Sequence, residues 1–126
     1  MAKKRINSRQ RGVRGELKVR DVFRAEGWEC RRGQQHSAIA ADGSVHPDLV
    51  FADEEFGYYV ECKNVEKVSM RNVRDWMAKL KTECPAGLIP MIVLLQNGEE
   101  MLRITELKQD VPKKNGTSGP LVDGQN

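Results

Sequence analysis

The sequence has little of what would place a protein outside the cell or in a membrane. Its three cysteines, Cys30, Cys62 and Cys84, are an odd number with no CxxC pair, which argues against a disulfide framework and for reduced thiols in the cytosol. Two histidines, His36 and His46, accompany them, and the irregular spacing of all five speaks against a zinc site. No apolar run approaches the roughly 20 residues that span a bilayer. The opening stretch MAKKRINSRQRGVRGE lacks the apolar centre of a secretory signal. The expected location is therefore the cytoplasm, with no membrane partner. No internal repeat is visible.

What is present suits one globular domain. The chain has 126 residues, 39% hydrophobic and 31% charged, enough to bury a core and too few for two substantial domains. The net charge of +3 conceals an asymmetry. Residues 1–32 hold eleven Lys and Arg against four acids, a local +7, and the remainder carries ten against fourteen, or −4. A basic end joined to a mildly acidic body points to a polyanionic partner, with nucleic acid the leading candidate. The alternative is a solvated basic tail that aids solubility.

Along the chain, Ser8 to Glu26 reads as a helix that Ser8 caps and Gly27 ends, with Val19, Val22 and Phe23 as its apolar stripe. Glu16, three residues before Val19, falls at the edge of that stripe. GWECRR reads as a strand, and GQQHSAIAADGSVHP, aperiodic and rich in turn formers, as a long loop. DLVFADE and GYYVECKNV read as two strands of a hairpin around ADEEFG. SMRNVRDWMAKLKTE, from Ser69 to Glu83, has helical spacing of Met70, Val73, Trp76, Met77 and Leu80, a stripe read as core. IPMIVLLQ is the most apolar segment and reads as a central strand buried on both faces. EEMLRITEL follows as a last strand, and from Val111 the chain turns polar and rich in glycine. The predicted organisation is a basic arm (1–7), a domain (8–110) and a flexible tail (111–126). The predicted fold is α/β in the order αβββαββ, a mixed five-stranded sheet with helices packed on it.

One strand raises a question. In YYVECKN, Tyr58, Val60 and Cys62 point to one face while Tyr59, Glu61 and Lys63 point to the other. Glu61 and Lys63 alone would be an ordinary surface ion pair. However, Asp48 follows Pro47 at the start of the preceding strand, so an antiparallel hairpin brings it near Glu61 and Lys63. Glu16 joins them if the first helix packs over that edge. Three converging carboxylates repel one another, and a divalent cation with hard-ligand preference, Mg²⁺ or Mn²⁺, removes that cost. Such an ion activates water and stabilises phosphoryl charge beside a lysine, the parts needed for phosphodiester hydrolysis.

HPDLVF followed by YVECKN, with Glu61 thirteen positions after Asp48, resembles the PD-(D/E)XK nuclease superfamily and its restriction-endonuclease-like core. RGVRGE and RRGQQHS are further similar to the Holliday junction resolvases of archaeal type and their phage relatives, which would put the chain in a host cytoplasm if it is phage-encoded. The resemblance runs from about Ser8 to Leu95. It implies that Asp48, Glu61 and the main-chain carbonyl of Cys62 hold the metal. Lys63 handles the attacking water, and Glu16 completes the cluster directly or through water. It also implies a loop serine, Ser37 or else Ser44, phosphate contacts by Arg11, Arg14, Arg31 and Arg32, and a homodimer acting on four-way junctions. Gln34 and Gln35 are read as polar loop residues able to meet a phosphate, and His36 and His46 as loop residues without a catalytic role. Three other readings stay open: a nuclease of the same superfamily with another DNA substrate, nicking or restriction-type; a DNA-binding module without catalysis; and an interaction protein with a solvated basic tail.

Overall fold

The computed structural model describes residues 8–33 and 47–112. The basic arm and most of the proposed tail lie outside the described residues, as does most of the long loop. The element order is α1 (Ser8–Ala25), β1 (Cys30–Arg32), β2 (Leu49–Phe51), a 3-10 turn (Glu54–Phe56), β3 (Tyr58–Val65), α2 (Met70–Glu83), β4 (Ile89–Gln96) and β5 (Leu102–Ile104). The strands lie in sequence order in one sheet. β3 and β4 are parallel and every other neighbouring pair is antiparallel, which is the mixed five-stranded sheet predicted.

The alternation of β3 and β4 sorts the core into two layers. Val60, Met91, Val93 and Leu95 pack with Val19 of α1 on one face. Tyr59 and Ile92 pack with Met77 and Leu80 of α2 on the other. β4 is covered from both sides, so it is buried continuously from Pro90 to Leu95, as its uniform hydrophobicity predicts. Ser69 caps α2: its hydroxyl accepts from the Asn72 N–H and the Asn72 side chain accepts from the Ser69 N–H, satisfying two donors that would otherwise be orphaned. No helix of the described residues is long and apolar enough to cross a membrane.

Three strands are shorter than the sequence suggests. DLVFADE contributes only Leu49–Phe51, because the Asp53 carboxylate accepts the Glu55 N–H at 2.8 Å and turns the chain into the 3-10 segment. Gly57 at φ 74° then ends that segment, a left-handed conformation that glycine adopts without strain. GWECRR pairs only from Cys30, and EEMLRITEL only over Leu102–Ile104. Ser8 is the first helical residue of α1 rather than a cap before it.

One close approach positions α1. A Cβ on Gly15 would stand 2.9 Å from the Cβ of Asn64, so the helix comes as near to β3 as the absence of a side chain allows. Asn64 and Arg11 then exchange hydrogen bonds: the Arg11 Nε donates to the Asn64 carbonyl at 2.9 Å and the Asn64 Nδ2 donates to the Arg11 carbonyl at 3.0 Å.

Candidate active site

The shortness of β2 makes the site. β2 meets β3 through Leu49 and Val60, and in that antiparallel register Asp48 falls beside Glu61. Past Leu49, β3 has no further strand partner on that side among the described residues. The Cys62 N–H, which a longer β2 would have received, instead donates to Asp48 Oδ2 at 2.8 Å. In a strand the N–H and C=O of one residue leave on the same side, so the Cys62 carbonyl faces the same open edge as the Asp48 carboxylate. Farther along this edge, Arg11 takes the Asn64 carbonyl, and Glu66 lies 3.4 Å from its guanidinium.

Side-chain alternation divides the acids. Cys62 packs with the α1 layer, while Glu61 and Lys63 leave on the α2 face. Lys63 Nζ is 3.8 Å from Glu61 Oε2 and 5.2 Å from the centroid of the Trp76 ring. Glu16, on α1, is on the other face. It is 6% exposed and receives the Arg32 Nε at 3.0 Å. Among the described residues no three His, Cys, Asp or Glu side chains come together closely enough to hold a metal between them. The three carboxylates therefore do not close into one cluster among the described residues: Glu16 lies on the α1 face and Glu61 on the α2 face, with Asp48 at the edge between and within reach of the Glu16 charge.

The electrostatics show what this costs. Burial pushes the Asp48 carboxyl up from 3.8 to about 6, against the Cys62 N–H, which holds it down, and the Glu16 charge raises it further. Lys63 and Arg32 only partly offset that rise. Burial also raises Glu61, with Lys63 lowering it and the charges of Asp48 and Glu83 adding to the rise. Burial raises Glu16 too, in spite of Arg32. All three carboxyls are therefore under-compensated as anions. Hard oxygens with surplus negative charge fit a divalent cation, and Mg²⁺ needs only one or two protein carboxylates, so the absence of a three-acid cluster does not count against it.

The arginines predicted to grip phosphate divide in two. Arg14 and Arg31 are exposed, whereas Arg11 is engaged by β3 and Arg32 by Glu16. Ser37 and Ser44, Gln34 and Gln35, and His36 and His46 lie outside the described residues. Sequence reasoning missed the Gly15–Asn64 approach, the Arg11–Asn64 exchange, the Arg32–Glu16 pair and the Trp76 ring beside Lys63. All four join residues far apart along the chain, and no local pattern signals them. The identity of Asn64, directly after the ECK tripeptide, was the nearest available clue.

A model of the family described as "Phage putative PDDEXK endonuclease" matches residues 7–118 of the chain. No curated protein matches it.

Proposed function

The chain belongs to the phage PDDEXK endonuclease family and is a nuclease of the PD-(D/E)XK type, and we propose that it is a divalent-metal-dependent DNA endonuclease selective for four-way junctions. One observation carries the assignment of the site: at the start of β2, the Asp48 carboxylate takes the Cys62 N–H at 2.8 Å, beside Glu61 and the Glu61–Lys63 ion pair.

Asp48, Glu61 and the Cys62 carbonyl would hold Mg²⁺ or Mn²⁺, with Glu16 acting through water from the α1 side of the edge beside Asp48. When bound, such an ion supplies Lewis-acid polarisation of a phosphate oxygen and acidifies water. The remaining work falls to the chain. The Asp48 and Glu61 carboxylates orient the attacking water, and Lys63 donates hydrogen bonds that hold that water and the scissile phosphate together. The burial that raises Asp48 and Glu61 also keeps bulk water from screening the site.

Arg14 and Arg31, exposed on elements flanking this edge, would contact backbone phosphates, with Ser37 and Gln34 contributing from the loop. Phosphate contacts at fixed angles select a junction by shape, whereas reading sequence requires base contacts. A homodimer would present paired sites to the two strands of a junction. Cleavage of a synthetic four-way junction, compared with linear duplex of the same sequence in Mg²⁺, tests the substrate class. Faster cutting of the junction is expected. Equal rates on both would leave a nuclease and remove the junction selectivity.

A further inference from the structure

Lys63 needs direction as well as charge. Its ammonium carries three N–H donors on a flexible four-carbon stem, and the neighbouring Glu61 oxygen, at 3.8 Å, is too distant for a hydrogen bond that would aim it. The other contact is aromatic: the Trp76 ring of α2, 5.2 Å from Nζ to the centroid, within the range where a ring face attracts a cation.

We propose that Trp76 is a positioning residue for Lys63: its indole face holds the ammonium at the open edge of β3 while leaving the N–H donors for water and phosphate. This rests on the reading of Lys63 as the water-handling residue.

The placement follows from the fold. The Ser69–Asn72 capping box fixes where α2 starts, and Met77 and Leu80 bury the adjoining stripe against Tyr59 and Ile92. Trp76 sits at the margin of that stripe, half-buried and packed against the same cluster. The ring is therefore anchored by the core cluster, and the lysine ammonium lies over its face. A carboxylate in its place would hydrogen-bond the ammonium, occupy donors and add a further anion to a site where Asp48 and Glu61 are already raised. A neutral ring avoids both effects. An aliphatic residue would fill the space but offer no attraction for a cation.

The test compares Trp76→Phe, which keeps a ring face, with Trp76→Leu, which keeps bulk without it. Four quantities are read: single-turnover cleavage in Mg²⁺ at saturating DNA, DNA affinity without divalent metal, melting temperature, and the NMR shift of the Lys63 ε-CH₂ protons. That resonance is identified by its loss in Lys63→Arg. The ring current should displace it in the wild type. Trp76→Leu should slow cleavage by about tenfold, leave DNA affinity unchanged, and return the ε-CH₂ shift to its usual position, and Trp76→Phe should restore most of both. An undisplaced ε-CH₂ resonance in the wild type would overturn the proposal even if Trp76→Leu fails to fold. Equal impairment of Phe and Leu variants in step with lowered melting would likewise overturn it, assigning the ring a packing role. If instead Lys63→Ala cleaves normally while the ring-current shift is present, the catalytic reading of Lys63 fails and the contact between the two side chains stands.

Discussion

Asp48 is the residue on which stability and chemistry conflict. Its carboxyl is held at about 6 against an ordinary 3.8, so the folded chain binds this proton more tightly than the unfolded chain. The linked stability is fully present below about pH 4 and is lost as pH rises through about 6. Two pH units correspond to roughly 2 to 3 kcal/mol, an upper bound because part of the carboxylate meets water. Asp48→Asn removes the charge and keeps an oxygen for the Cys62 N–H. In EDTA at pH 7.5 it should be more stable than the wild type by about 1 to 2 kcal/mol, with the advantage shrinking towards pH 4.5 and cleavage lost. Thermal melting at the two pH values checks this, and a variant less stable at both would mean that Cys62 and Lys63 compensate the carboxylate fully. At this scale Asp48, Glu61 and Lys63 were legible because their spacing along two adjacent strands is itself the signal. The partners of Glu16 and Lys63 were not. Arg32 and Trp76 reach them only through the packing of separate elements.

Among the elements, α1 and the truncated β2 define the site together. The pairing of β2 with β3 goes no farther than Leu49, and α1 takes up the edge farther along, at Asn64, held there by the Arg11–Asn64 exchange, so that the stretch at Cys62 stays open between them. Gly15 permits the approach, so Gly15→Ala must push α1 away from Asn64 or shift that side chain. Overpacking of this kind costs about 1 to 3 kcal/mol, more than the higher helix propensity of alanine returns. We expect a lower urea midpoint with unchanged slope, and an unchanged midpoint would show that α1 is not pressed against β3. Hydrophobic period located α1, α2 and β4 within a residue or so, but it drew both helical stripes too wide: Val22 of α1 and Met70 of α2, read as part of the apolar faces, are 48% and 65% exposed, because the sheet covers the neighbouring Val19 and the Met77–Leu80 stripe instead. It overextended β2, since DLVFADE alternates well enough for a strand. The Asp53 side chain, which captures a backbone N–H two residues on, is what diverts it.

For the molecule as a whole, the excess of basic residues at one end has two fates that composition cannot separate. Arg11 and Arg32 are committed to internal partners, and Arg14 and Arg31 remain exposed. Reversing Arg14 and Arg31 to Glu should weaken DNA binding across all sequences and reduce the slope of log affinity against log salt by about one for each phosphate no longer neutralised. An unchanged slope would place the DNA on another face. The comparable change at Arg32 should act differently, because it strips a buried Glu16 of its counterion. The decisive measurement is single-turnover cleavage of a four-way junction by the wild type and by Glu61→Ala, each in Mg²⁺ and in EDTA, with binding followed in parallel. We predict cutting by the wild type in Mg²⁺ alone, with Glu61→Ala still binding the junction and leaving it intact. Undiminished cutting by Glu61→Ala, or cutting by the wild type in EDTA, would contradict the assignment of this edge as a metal-dependent nuclease site.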